Sequence, residues 1–325
     1  MTEGRLNIEP VLVERFRANL DALIDPSQRV GLAVSGGPDS MALLLLAAAA
    51  RPGQVEAATV DHLLREGSHA EAEMVARACQ QLGVSHTILR ARWDDRPETA
   101  VQEKARRERY RLLGFWVEER GLEALATGHH VDDQAETVLM RLARGSGVRG
   151  LAGMHPRSIA TGTKVRLLRP LLGWRRSELQ QICVSAGIEA AVDPSNEDSK
   201  YERVRVRRAL GQVDWLDPAA ITRSAANLAE ANSALDWAMR SEWNHRVREK
   251  RDSISYRPSD APREILRRIA ARAVRHLATE GEGDLRGAET DRLLASLADG
   301  GTTTLRGVLC RGGAEWHFSR APERR

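Results

Sequence analysis

Six consecutive residues, Ser35-Gly36-Gly37-Pro38-Asp39-Ser40, carry the most chemistry in the sequence. They lie between a short apolar run, Val30 to Val34, and a longer one that begins at Met41. A glycine-rich turn between strand and helix lets backbone N–H groups turn toward an anion, and the helix N-terminus adds partial positive charge. Ser35, Gly36, Gly37 and Ser40 fit such a phosphate cradle. The turn lacks the Gly-Lys-Ser/Thr ending of kinase-type loops, so no lysine holds a terminal phosphate for transfer. An ordinary strand-to-helix glycine turn is the plainer alternative.

A second group of reactive types falls at His129, His130, Asp132, Asp133 and Glu136. Asp133 and Glu136 are three apart on a predicted helix and so share a face. Paired carboxylates there suit an ammonium group; acids at a solvated helix start, favoured by the helix dipole, are the alternative. His129 suits a proton carrier or phosphate contact, and His130 a cap or packing group. His129, His130 and Asp132 as metal ligands would need a further cysteine or histidine that the sequence does not place beside them. Asp61 could position a nucleotide or Mg²⁺, or cap a helix. Lys200 to Arg208 is the densest basic run, with Arg203, Arg205 and Arg207 as candidate RNA contacts. Basic side chains there would neutralise phosphates, and arginine planes could stack on unpaired bases.

Elements must bring these groups together. Val30 to Val34, Val55 to Val60, Ser85 to Leu89 and Glu123 to Thr127 read as strands. Helical stretches alternate with them: from Met41, from the capping box Ser68-His69-Ala70-Glu71 to Gly83, over Glu98 to Arg120, and over Val131 to Ala143. Such alternation implies an α/β fold with a doubly wound, mostly parallel sheet covered on both faces. Its ligand then sits beyond the carboxyl ends of the strands, where Asp39, Asp61 and His129 all fall. After about Leu210 the sequence turns Ala- and Arg-rich and reads as mainly helical, with Gly300 to Phe318 as a hairpin. The expected domains are therefore 1–211 and a smaller 212–325. Residues 144–150, Arg-Gly-Ser-Gly-Val-Arg-Gly, read as a flexible basic loop.

Composition narrows the classes. The 325 residues are 42% hydrophobic and 29% charged, with a formal net charge of +4, which suits about two folded domains. The mild basic excess fits a polyanionic partner without requiring one. Cys79, Cys183 and Cys310 are isolated, which argues against a disulfide framework or zinc cluster and for a reducing cytoplasm. The first residues lack a signal-peptide pattern. The longest apolar run, Met41 to Ala50, is half the roughly 20 residues a membrane helix needs. No membrane partner is expected, and the oligomeric state is left open, a homodimer included.

Ser-Gly-Gly-x-Asp-Ser after a strand resembles the signature of the PP-loop, or N-type, ATP pyrophosphatases, whose domain is adenine nucleotide alpha hydrolase-like. The resemblance implies cleavage of ATP to AMP and pyrophosphate, with Ser35, Gly36, Gly37, Pro38, Asp39, Ser40 and Asp61 around ATP and Asp39 holding Mg²⁺. Further segments narrow it: Val60-Asp61-His62-Leu63-Leu64-Arg65, Thr127-Gly128-His129-His130-Val131-Asp132-Asp133-Gln134-Ala135-Glu136-Thr137, Arg169-Pro170-Leu171-Leu172 and Asp193-Pro194-Ser195-Asn196. In this order, over roughly residues 28 to 210, they resemble the tRNA(Ile)-lysidine synthetase family.

That resemblance implies adenylation of the C2 oxygen of wobble cytidine 34 in an isoleucine tRNA with the CAU anticodon, then attack by the amine of free L-lysine. It assigns Asp133 and Glu136 to the lysine, with Arg109 as partner for its carboxylate; Asp39, Asp133 and His129 are the expected catalytic residues. The family usually shows Arg-Asn-x-Ile-Arg at 203–207; here Val204 and Val206 replace the Asn and Ile. Rival readings are a PP-loop tRNA thiolase, which needs reactive or cluster-binding cysteines, a small-molecule amide-forming ligase of the same superfamily, and an RNA-binding module with a degenerate ATP site.

Overall fold

The computed structural model describes residues 8–63, 68–93, 101–191, 198, 200–278, 285 and 287–322. The first elements in chain order are α1 (Pro10–Asp21), β1 (Val30–Ala33), α2 (Pro38–Ala50), β2 (Val55–Asp61), α3 (Ser68–Gln81), β3 (Ser85–Arg90), α4 (Val101–Glu119), β4 (Ala124–Ala126) and α5 (Val131–Ala143). Then come α6 (Val148–Leu151), β5 (Arg157–Ile159), β6 (Arg166–Leu168), α7 (Arg176–Ser185) and α8 (Glu202–Gly211). The last are α9 (Pro218–Arg246), β7 (Val247–Lys250), β8 (Ser253–Tyr256), α10 (Arg263–Leu277), α11 (Gly287–Ala298), β9 (Thr302–Leu305), β10 (Val308–Arg311) and β11 (Trp316–Arg320). They fall into two compact units, Met1–Met140 with Gly153–Arg223, and Arg141–Ala152 with Ser224–Arg325.

The first unit holds a six-stranded sheet in the order β3-β2-β1-β4-β6-β5. All pairs are parallel except β5–β6, and Leu32 of β1 lies opposite both Ala57 and Ala126. α2 is apolar all round, which buries it between the sheet and α1 and α7. Met41 to Ala47 are fully covered, with Phe16, Leu20, Leu179 and Ile182 in the same cluster. α4 covers the opposite face with Tyr110, Leu113, Trp116 and Val117. Gly31 makes that possible, since a Cβ there would stand 2.6 Å from the Trp116 ring.

The doubly wound sheet expected from the alternation is present. The helix expected from Met41 begins three residues earlier, because Pro38 fits a first helical position where no N–H is needed. This shift puts Asp39 and Ser40 in the first turn. Glu98, the expected start of the fourth helix, lies outside the described residues. β5 and β6 are three residues each and carry too little alternation to be read from sequence.

The second unit contains α10 and α11 with a five-stranded antiparallel sheet, β7-β8-β11-β10-β9. Ile265, Ile269, Ala273 and Leu277 line one face of α10 and pack with Ile254, Tyr256, Trp316 and Phe318 of the sheet. The helices there match the expectation, and the 300–318 hairpin is a three-stranded piece of this sheet. β7 and β8 fall inside the stretch read as helical. Arg248, Glu249 and Lys250 are exposed, so only Ile254 and Tyr256 carry an inward pattern.

Candidate active site

The strand order reverses between β1 and β4, which is where ligands bind in open α/β sheets. The 35–37 turn follows β1. Gly36 has φ +90°, a conformation that L side chains resist. Ser40 closes the turn from inside: its Oγ accepts from the Ser35 N–H at 3.1 Å and donates to the Gly37 carbonyl at 2.9 Å. Its hydroxyl therefore shapes the cradle. The Gly36 carbonyl accepts from the Ala191 N–H at 2.9 Å, so the amide side of the turn is the one left facing an anion. Asp39 Oδ1 is buried without a hydrogen-bond partner among the described residues.

The 127–130 segment after β4 packs directly on this turn. A Cβ at Gly128 would come within 2.7 Å of the Asp39 carbonyl oxygen. His130 is fully buried, with Nε2 3.4 Å from Asp39 Oδ2 and 3.5 Å from Asp133 Oδ2, and Nδ1 3.3 Å from Asp132 Oδ2. Burial opposes its charge, but the bonds to Asp132 and Asp39 and the charge of Asp133 outweigh this and push it up to about 9. Asp132 is held down at about 2: the His130 bond and the Arg176 N–H, at 2.9 Å, overcome burial. His129 is the reverse case. Burial, then the nearby charges of Arg169, Arg203 and Arg106, push it down to about 3 despite Asp133. Its Nδ1 is 2.8 Å from Thr127 Oγ1. His130 thus lies among the acids of the β1 and β4 ends, which favour its charge, with Nδ1 also facing the Asp132 N–H at 3.2 Å, whereas the charged form of His129 is disfavoured.

Asp61, at the end of β2, is buried, with Oδ1 taking the Leu63 N–H at 3.0 Å and the Ser68 hydroxyl at 2.7 Å. Burial raises its carboxyl, and these bonds with His69 bring it below the usual range. It thereby ties Leu63, after β2, to Ser68, the first residue of α3. Arg109 Nε donates to His62 Nε2 at 3.4 Å, and burial with the Arg109 charge pushes His62 down to about 4. Arg109 is exposed.

α8 meets α5 through ion pairs. Arg203 donates to Glu136 Oε2 at 2.7 Å and to Asp133 Oδ1 at 3.1 Å; Arg207 donates to Glu136 Oε1 at 2.6 Å. Arg203 and Arg207 are one helical turn apart and share a face, whereas Arg205 lies between them and points outward, exposed. The three arginines grouped in the sequence as RNA contacts are thus divided by the helix. Val204 is buried, so the residue that departs from the family pattern belongs to the packed face. The Asp193–Asn196 motif lies outside the described residues.

Sequence reasoning missed two supports. Gln134 is buried and fixes the chain at Met154, donating to its carbonyl at 2.8 Å and accepting its N–H at 2.6 Å. Arg169, in the Arg-Pro-Leu-Leu motif, donates to the His155 carbonyl at 2.6 Å and the Ser158 hydroxyl at 2.9 Å. Both lie inside quoted motifs, which was the available signal. Among the described residues no group of three or more His, Cys, Asp or Glu side chains could hold a metal ion by itself. None of their helices is long and apolar enough to cross a membrane.

A PP-loop domain model matches residues 12–213. The tRNA(Ile)-lysidine synthase of Novosphingobium aromaticivorans is 49% identical over 96% of this chain and 94% of its own length. That of Zymomonas mobilis subsp. mobilis is 43% identical over 92% and 90%. The chain belongs to the tRNA(Ile)-lysidine synthase family. Among solved structures, the U34-tRNA thiolase NcsA from Methanococcus maripaludis shares the fold, with a TM-score of 0.56 and 17% identity over 68% of this chain and 81% of that one. The cysteines of this lysidine synthase relative are all buried, and burial pushes their thiols up to about 12, 11 and 12 at Cys79, Cys183 and Cys310. None is a thiolate poised for sulfur chemistry.

Proposed function

We propose that the chain is an ATP-dependent C–N ligase that converts cytidine 34 of an isoleucine tRNA with the CAU anticodon into lysidine, using free L-lysine. The observation that carries this reading is His130, which joins Asp39 of the phosphate turn to Asp133 of α5 within a family of lysidine synthases. One crevice then serves both the nucleotide and an amine.

In this reading the 35–37 amides and the α2 N-terminus hold the ATP phosphates. The C2 oxygen of the cytosine attacks the α-phosphorus, the bond to the β-phosphate breaks, and pyrophosphate leaves. The lysine ε-amine then attacks C2, loses a proton, and AMP departs with the oxygen. Adenylation is required because an amide-like oxygen is a poor leaving group, and the amine must be neutral although its pKa is about 10.4 in water. His129, kept neutral by its surroundings, can accept a hydrogen bond from the amine, while the amine's proton passes to solvent. Asp133 and Glu136 are the carboxylates on the amine side, and Arg109 the cation for the substrate carboxylate. Asp61, at the carboxyl end of β2, is the acid that helps to position ATP.

Mg²⁺ fits this site at Asp39, whose Oδ1 is a buried oxygen without a partner among the described residues. One protein carboxylate with phosphate oxygens and water is an ordinary Mg²⁺ shell. When bound, the ion supplies positive charge that stabilises the departing pyrophosphate. Arg205, with Arg203 and Arg207 behind it, faces the RNA, and the region after residue 211 adds further contacts. The protein works in the cytoplasm. The test is incubation with ATP, labelled lysine and a CAU isoleucine tRNA transcript. Lysine incorporated into RNA with release of AMP and pyrophosphate is expected; ADP as product, or unlabelled RNA, refutes the proposal.

A further inference from the structure

Among the described residues Arg109 has no carboxylate partner. Its neighbour on α4, Glu108, is held by Arg111, whose Nε and a terminal nitrogen donate to the two carboxylate oxygens at 2.8 and 2.7 Å. Arg109 instead meets a neutral acceptor: its Nε donates to His62 Nε2 at 3.4 Å. A guanidinium carries its N–H donors in a fixed planar fork. With the Nε–H taken, the two terminal nitrogens remain, and their spacing matches the two oxygens of a carboxylate.

The chain holds His62 firmly enough to aim that fork. His62 follows Asp61 at the end of β2 and is half-buried. Its carbonyl accepts the Trp93 indole N–H at 2.8 Å, and the next N–H, of Leu63, goes to Asp61 Oδ1 at 3.0 Å. Leu63 has φ +54°, a left-handed conformation that a branched L side chain keeps only where its surroundings impose it. The backbone at 62 is therefore pinned on both sides. Nδ1 of the ring is buried and has no hydrogen-bond partner among the described residues, so the polar contact of the ring runs through Nε2. A ring nitrogen that accepts a bond carries no proton, which places the ring proton on Nδ1. Burial, then the charge of Arg109, oppose a second proton.

We propose that His62 is a positioning residue that accepts the Arg109 Nε–H and aims the guanidinium fork at the carboxylate of the substrate lysine. For the lysine this rests on the reading of the preceding section; the bond between His62 and Arg109 does not. His62 itself touches neither substrate. Its loss should therefore weaken only ligands that carry the carboxylate, and only while Arg109 is present.

The experiment uses the full chain and three readouts: KM for lysine, inhibition by cadaverine, which is lysine without its carboxylate, and nitrogen NMR of the His62 ring. In His62→Leu, lysine KM should rise about fivefold, while KM for ATP and the cadaverine inhibition constant stay within about twofold of wild type. His62→Gln, whose side-chain oxygen can accept the same N–H, should keep lysine KM within about twofold. In Arg109→Met, adding His62→Leu should raise lysine KM no further, since the two residues act as one unit. The wild-type ring should carry its proton on Nδ1, and Arg109→Met should let the proton move to Nε2. An unchanged lysine KM in His62→Leu overturns the proposal, as does an equal loss for lysine and cadaverine, or a further fivefold or so from the second substitution. A wild-type ring protonated on Nε2 overturns it as well, and needs no variant to fold. If the wild type uses no lysine, the function reading fails, while the ring proton still decides the bond between His62 and Arg109.

Discussion

Gly128→Ala is the smallest change that should disable the site. Gly128 has no left-handed φ, so alanine brings no backbone strain and acts through its methyl group alone. That methyl would lie 2.7 Å from the Asp39 carbonyl oxygen, 3.0 Å from its carbon and 3.2 Å from the Ser40 nitrogen. Ordinary contact begins at 3.4 Å, so something must move by about 0.7 Å. All three atoms belong to the backbone of the first turn of α2, and that helix is fixed along its length, with Met41 to Ala47 fully buried. The phosphate turn and the 128–130 segment must therefore part. Overpacking of this kind costs about 1–3 kcal/mol of stability. A displacement near 1 Å in a reacting constellation costs about 100-fold, so kcat/KM for ATP should fall about 10- to 100-fold. Pyrophosphate release in the presence of tRNA and lysine, with urea denaturation alongside, measures both. Gly173→Ala is the control, since a Cβ there meets nothing within 4 Å. A Gly128→Ala protein with kcat/KM within about twofold of wild type would mean that the close approach of the two segments is not what positions Asp39.

Other outcomes follow from the buried groups. Gln134→Ala leaves both part-buried backbone groups of Met154 without their side-chain partner, and should cost about 1–3 kcal/mol by urea denaturation; a loss under about 0.5 kcal/mol contradicts the bridge. His129 binds a proton near pH 6.5 in the unfolded chain but only near pH 3 when folded. Its contribution is therefore complete above pH 6.5 and is lost as the pH falls toward 3, by up to about 1.4 kcal/mol per unit. His129→Asn should flatten the acid limb of a Tm-against-pH curve, and equal slopes in the two proteins would reject the assignment. The three buried, high-pKa thiols should react with a disulfide reagent only after denaturation, and rapid labelling of native protein would count against their placement.

The parts of the site that could be read in the sequence are those whose signal is local. The Ser35–Ser40 turn sits between two apolar runs, and α5 spans the residues its pattern predicted. Parallel alternation alone placed Asp39, Asp61 and His129 at strand ends. What could not be read depends on partners far along the chain. Glu136 meets its arginines across 67 and 71 positions, and nothing in the spacing of Asp133 and Glu136 says that α8 pairs with both, Arg203 with each and Arg207 with Glu136. His130 looked like a cap or packing residue because its charge arises from three carboxylates on two elements, visible only once the β1 and β4 ends adjoin. The basic run at 200–208 shows the same limit. Counted as charge, Arg203, Arg205 and Arg207 are alike; wound at 3.6 residues per turn, the first and last turn inward and the middle one outward. Val204 completes the point. It stands where the family usually carries Asn, and its burial on the inward face makes it a packing residue of α8. Restoring asparagine there would bury an amide beside Arg203 and Arg207, which already satisfy Glu136.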